Sequence, residues 1–181
     1  MTQEGNWKTI TSKTVYQNPW ISVDHREVIT PGGGEGIYGL VRFKNKAIGI
    51  VALDNENHIY LVGQYRYPLK SYSWEIPEGG GPLNEDPLDA AKRELREETG
   101  LVASDWEKIG RVHTSNSATD EEGFIFLAQN LQQFEQETED TEEIEVMKVP
   151  LKKAVDMVMN AEITDSISMC AILLVARLKG I

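Results

Sequence analysis

Three glutamates, Glu94, Glu97 and Glu98, stand at i, i+3 and i+4 in a stretch that reads as a helix. At that spacing their carboxylates can share one patch. Like charges so placed repel by about a few tenths of a kcal/mol per pair. A cluster of this kind therefore either raises its members' pKa values or gathers a cation. Carboxylate oxygens are hard ligands suited to Mg2+, with Mn2+ as a substitute, and no His or Cys stands between residues 79 and 101 to favour zinc. The competing reading is a solvated acidic helix face. Glu85, Arg93 and a run of three glycines, Gly79 to Gly81, lie close by in sequence.

The helix that would carry these groups is marked at both ends. Asp86 is placed as N-cap, Pro87 suits the first helical position, and Asp89 can reach back in the manner of a capping box. Gly100 is placed to close the helix in a left-handed conformation. Leu88, Ala91 and Leu95 recur at i, i+3 and i+7 and should face a core.

Upstream, residues 6–29 read as two extended segments broken at Asn18-Pro19, followed by a Pro-Gly turn and a strand at 37–43. AIGIVAL and HIYLVGQYRY flank DNEN and predict a hairpin. In SYSWEIPEGGG, Pro and Gly should stop any regular element. Downstream, strands are expected at 107–114, 123–130 and 143–149. An amphipathic helix follows from Pro150, with Leu151, Ala154, Val155 and Val158 inward, and a last helix begins near Thr164 or Asp165. Strands at mixed spacing with few helices predict an α+β sandwich.

With 181 residues, the chain is expected to form one domain with a small appendage. Its 18 basic and 29 acidic residues give a formal charge of −11, which disfavours nucleic acid and anionic membrane as partners. The single cysteine, Cys170, cannot form an internal disulfide and is expected to be buried packing. No signal-peptide pattern or spanning apolar run is evident, so a cytoplasmic, soluble protein is expected.

The segment GGGPLNEDPLDAAKRELREETGL resembles the Nudix box, G-x5-E-x7-R-E-U-x-E-E-x-G-U with U aliphatic. Gly79, Glu85, Arg93, Glu94, Leu95, Glu97, Glu98, Gly100 and Leu101 fall where the pattern requires. The resemblance implies a Nudix-type α/β/α sandwich with mixed sheets and an N-terminal β-rich arm. The arm is expected over 1–42, as part of a homodimer interface, and the hydrolase domain over 43–181. It further implies that Glu94, Glu97 and Glu98 ligate divalent metal with the main-chain carbonyl of Glu78. Arg93 and Glu85 would orient those carboxylates, and Gly79 would let backbone approach metal and phosphate.

Q-Y-R at 64–66 and W-E-I-P-E-G at 74–79 look like the branch that hydrolyses nucleoside diphosphate sugars, including ADP-ribose. Glu78 stands where that branch usually has alanine. The branch resemblance implies that Arg66 and Glu75 contact substrate and that Trp20, or Trp7, stacks on the base. Ser115, Asn116 and Ser117 replace a usual Ser-Pro-Gly turn, which points to a broader or different nucleoside diphosphate sugar preference than ADP-ribose alone. His113 is expected to be an ordinary strand histidine. Aligning the acidic run 137–145 with the family implies Glu142 as general base, with Asp140 and Glu143 as alternatives. The expected products are a nucleoside monophosphate and a sugar phosphate. A dinucleoside polyphosphate, coenzyme A or oxidised-nucleotide hydrolase, or a non-catalytic nucleotide-sugar sensor, is the alternative.

Overall fold

The computed structural model describes residues 1–136 and 144–181. Strands β1 (Thr2–Glu4), β2 (Trp7–Gln17), β3 (Ile21–Ile29) and β4 (Glu35–Phe43) form an antiparallel sheet in chain order. The expected break at Asn18-Pro19 is the β2–β3 turn. There the Asn18 side-chain oxygen accepts the N–H groups of Trp20 and Ile21 at 2.9 and 2.8 Å, replacing ladder bonds that Pro19 cannot make.

The remaining chain builds β5 (Asn45–Ala52), β6 (His58–Arg66), β7 (Ser71–Glu75), β8 (Glu78–Pro82), α1 (Pro87–Thr99), β9 (Leu101–Val112), β10 (Gly123–Gln133), β11 (Glu145–Pro150), α2 (Leu151–Met159) and α3 (Ser166–Lys179). One sheet runs β8-β5-β10-β9, with β5 and β10 parallel, and another runs β11-β6-β7. Alternation along β5 divides the interior. Ile48, Ile50 and Ala52 pack with Phe124 and Phe126 against Ala90, Ala91 and Leu95 of α1. Val51, with Ile125 and Leu127, faces α2, α3 and the β6 side chains Ile59 and Leu61. Helices thus cover both faces of the β5–β10 sheet, as the α+β sandwich reading requires. Each fully buried Ile or Leu in these layers contributes roughly 1.5–3 kcal/mol over its exposed state.

Several local expectations change in the folded chain. The segments flanking DNEN do not pair as a hairpin: β5 and β6 belong to different sheets and share only a bridge at Leu53 and Ile59. The turn itself exists, with Asp54 Oδ1 accepting the N–H groups of Glu56 and His58 at 2.9 and 2.8 Å. The stretch expected to be irregular holds both β7 and β8, because Pro77 lies between them and Gly79 to Gly81 pair with Ile48 to Lys46. Strand β9 starts at Leu101, directly after α1, six residues before the expected start.

In α1 the caps are as expected. Asp86 Oδ1 accepts the Leu88 N–H at 2.8 Å, and Gly100 has φ 69° with its N–H on Arg96 O. Asp89 does not complete a capping box in this arrangement; its carboxylate lies 3.6 Å from the Lys92 ammonium. In α2, Met157 takes the fully inward place expected of Val155. Cys170 is exposed, not buried. Ile167, Ala171, Ile172 and Val175 supply the inward face of α3, and Cys170 lies off that stripe.

Candidate active site

Helix α1 lies against β8, and the two approach closely: a Cβ on Gly81 would meet Ala90 Cβ at 2.9 Å. This contact sets the box glutamates along the wall of a cleft of about 570 Å3 between α1, β8 and the ends of β4 to β6. Glu78, Glu94, Glu97 and Glu98 line it, and so do Arg66, Arg93, Gly79 and Trp20.

Arg93 organises the carboxylates. Its Nη1 donates to Glu94 at 2.8 Å and to Glu97 at 2.9 Å, while Nη2 donates to Gly80 O at 3.2 Å and lies 3.5 Å from Glu85. Burial works against the guanidinium's charge, but the Glu94 and Glu97 carboxylates more than offset it and hold its pKa above the ordinary value. Glu98 is turned inward and buried, and its Oε2 accepts the Glu78 N–H at 2.9 Å. Helix α1 is thereby tied to β8 through one of the box glutamates. Gly79 has a steric reason: a Cβ there would lie closer than 3.0 Å to the Glu94 carboxyl carbon and both its oxygens.

Arg66, at the end of β6, sits in the wall with two carboxyl neighbours. Its Nε donates to Glu75 Oε1 and Oε2 at 3.1 and 3.0 Å, and its Nη2 donates to both Glu75 Oε2 and, at 3.2 Å, Glu78 Oε1. Glu75, expected to contact substrate, is buried behind Arg66 and is not part of the cleft wall among the described residues. Despite the burial penalty, Arg66 holds Glu75 below the usual carboxylate range. Burial, then Asp165 and Glu75, push the Glu78 carboxyl well above that range. Glu78 Oε2 is buried with no hydrogen-bond partner among the described residues.

Trp20 is exposed at the cleft edge, 65% accessible. Trp7 instead packs edge-on against Tyr38, ring centroids 5.5 Å apart, in the N-terminal sheet. His113 lies just beyond β9 and is exposed, so it is not a strand histidine. The Ser115–Ser117 segment is a turn closed by the Ala118 and Thr119 N–H groups on Ser115 O, and the Tyr38 hydroxyl donates to Ser117 O. Asp140, Glu142 and Glu143 lie outside the described residues.

Polar members of the wall that sequence reasoning missed include Lys46, Thr114, Glu121 and Asp165. Thr114 donates to Glu121, and Asp165 caps α3 by accepting the Ser168 N–H at 2.7 Å. Asp165 was legible as a cap, but its place in the cleft depends on how α3 packs. Among the described residues the wall holds six carboxyl side chains and three basic ones. A second acidic group, Asp54, Glu56 and His58, occupies the β5–β6 turn, where Asp54 already pairs with Lys148 at 2.7 Å. Its hydrogen bonds are those of a turn.

The arrangement suits a divalent cation bound between an acidic wall and an anionic ligand. Among the described residues, surplus carboxyl groups, a buried carboxyl oxygen without a hydrogen-bond partner and the lack of His or Cys in the wall fit a hard, oxygen-liganded ion.

Comparison with known proteins agrees with this geometry. The NUDIX domain profile matches residues 44–167, and the profile of the nucleoside diphosphate sugar hydrolase N-terminal domain matches residues 7–41. The ADP-ribose pyrophosphatase of Bacillus subtilis (strain 168) is 34% identical over 161 residues, covering 88% of this chain and 86% of that protein. The ADP-ribose pyrophosphatase of Mycobacterium tuberculosis is 32% identical, covering 95% and 84%. The fold is shared with a crystal structure of an ADP compounds hydrolase at a TM-score of 0.87 and 22% identity, covering 99% of this chain and 98% of that one. With its box glutamates on one cleft wall and its sequence matched along nearly its whole length, the chain belongs to the Nudix family.

Proposed function

We propose that the protein hydrolyses the pyrophosphate bond of nucleoside diphosphate sugars, ADP-ribose and related compounds, to a nucleoside monophosphate and a sugar phosphate. The observation that carries this reading is the gathering of Glu94, Glu97, Glu98 and Arg66 in the wall of one acidic cleft. Similarity to two ADP-ribose pyrophosphatases supports the substrate class.

Glu94, Glu97, Glu98 and the main-chain carbonyl of Glu78 would hold Mg2+, or Mn2+ in its place. Such an ion, when bound, neutralises pyrophosphate charge and acidifies water. Arg93 and Glu85 keep the carboxylates in register, and Gly79 leaves them room. Arg66, fixed from behind by Glu75, binds the diphosphate, as a guanidinium suits phosphate oxygens. Trp20 stacks on the base. Glu142, or Asp140 or Glu143 beside it, takes the proton from the attacking water. The water oxygen bonds to phosphorus as the bridging P–O bond breaks. Residues 1–42 act as an arm that joins two protomers in a homodimer, and the Ser115–Ser117 turn admits more than one sugar.

The test is hydrolysis of ADP-ribose, ADP-glucose, GDP-mannose and UDP-glucose with and without Mg2+ or Mn2+. Metal-dependent release of a nucleoside monophosphate is expected. No turnover of any of the four would leave a nucleotide-sugar sensor as the better reading.

A further inference from the structure

We infer that the Glu78 side chain weakens the grip of Arg66 on phosphate by occupying the donor that a bidentate contact needs. This inference rests on the proposed role of Arg66 in binding the diphosphate. A guanidinium has five N–H groups, and it grips two oxygens at once only along an edge. The two such edges are the one shared by Nε and a terminal nitrogen, and the one shared by both terminal nitrogens. In this protein Glu75 occupies the first, through Nε and Nη2. Glu78 Oε1 also accepts from Nη2, at 3.2 Å. Both edges depend on Nη2, which already donates to two carboxyl groups. Among the described residues only Nη1 makes no hydrogen bond, and it can offer a phosphate a single-atom contact.

Glu75 is buried and secures Arg66 without help, since it alone accepts from both Nε and Nη2. The Glu78 contact is the one that can be removed while the arginine stays in place. Its loss opens the Nη1–Nη2 edge toward the cleft that both side chains line. The block needs only an oxygen acceptor on Nη2, which a carboxylate, a carboxylic acid or an amide each supplies. Glu78 thereby sets how firmly the cleft holds a diphosphate and how readily it lets phosphorylated products go.

The experiment is calorimetric titration of wild type, Glu78→Ala and Glu78→Gln with the α,β-methylene analogue of ADP-ribose in Mg2+. Hydrolysis of ADP-ribose by the wild type is followed in parallel. One added charge-assisted hydrogen bond corresponds to roughly tenfold in affinity, so Glu78→Ala is expected to bind about tenfold tighter. Glu78→Gln, which keeps an oxygen acceptor for Nη2, is expected to bind as the wild type does. Equal or weaker binding by Glu78→Ala overturns the inference, as does a Glu78→Gln variant as tight as Glu78→Ala. Either result with wild-type turnover intact sinks the inference alone. A wild type that neither binds the analogue nor hydrolyses ADP-ribose sinks the hydrolase reading and this inference with it.

Discussion

The α-carbon of Gly79 faces the carboxyl of Glu94 so closely that a methyl group on it would overlap the Glu94 carboxyl carbon and both oxygens. Strand β8 and helix α1 meet at this point, and the missing side chain is what lets the glutamate occupy its place. Gly79→Ala is expected to displace Glu94, the flexible partner, and leave the backbone where it is. Turnover should fall on the order of 100-fold, the scale of a misplacement of about 1 Å at a reacting centre. The melting temperature should move by only a few degrees. Hydrolysis kinetics beside a thermal melt check it, and near-normal turnover would detach Glu94 from the chemistry.

Arg93 holds Glu94 and Glu97 together through one nitrogen. Arg93→Ala leaves two like charges without their shared counter-ion. Turnover is expected to drop about 10- to 100-fold, the scale set for supporting groups around a metal centre. The melting temperature of the variant should also rise more on adding Mg2+ than that of wild type, because the ion supplies the missing positive charge. A thermal melt across a Mg2+ series measures this. Identical shifts in both proteins would mean that Arg93 does not neutralise the pair.

Glu142→Gln is expected to lower turnover by about 100-fold or more with little change in KM, as loss of a general base does. Single-turnover measurement separates the two effects. Near-normal turnover would move the role to Asp140 or Glu143, and the same variant of each would show which.

Asp24 gives the stability of the N-terminal sheet a pH dependence. The Thr14 hydroxyl at 2.8 Å and the Arg42 Nε at 2.9 Å hold its carboxyl below the usual carboxylate range. The folded pKa is thus lower than the unfolded one. The resulting stability is fully present above the unfolded value of about 3.9 and is lost as pH falls through the folded value. Asp24→Asn should therefore melt lower than wild type at neutral pH, and the gap should close below about pH 4. Melting curves of the two proteins from pH 3 to 7 test this; a gap independent of pH would assign the effect to packing.

Local chemistry made the site helix readable. Asp86, Pro87 and Gly100 each act on the backbone within a residue or two, and the glutamate spacing follows from helix geometry alone. What stayed hidden depended on distant partners. The DNEN turn was legible, but not that β5 and β6 would leave it for different sheets, since β5 is claimed by β8 and β10. The glycines of β8 lack strand-forming side chains and pair only because β5 lies alongside. Arg66 was legible as a cleft residue, whereas Glu75 standing behind it required the β6–β7 register that sets Arg66 opposite Ser71 and Val62 opposite Glu75. Lys46, Thr114, Glu121 and Asp165 come to one wall from three separate parts of the chain: β5, the β9–β10 connection and the start of α3.

The parallel pairing of β5 with β10 has a consequence for synthesis. The Ala47–Ala52 strand waits for a partner at Gly123–Ala128, and helix α1 lies between them in sequence. Until the second strand leaves the ribosome, Ile48 and Ile50 lack Phe124 and Phe126, and the face on which α1 packs is incomplete. Loop closure over such a separation is slow to be rewarded. Helix α1 is therefore expected to be protease-sensitive in stalled chains ending before residue 123, and protected once residue 133 has emerged.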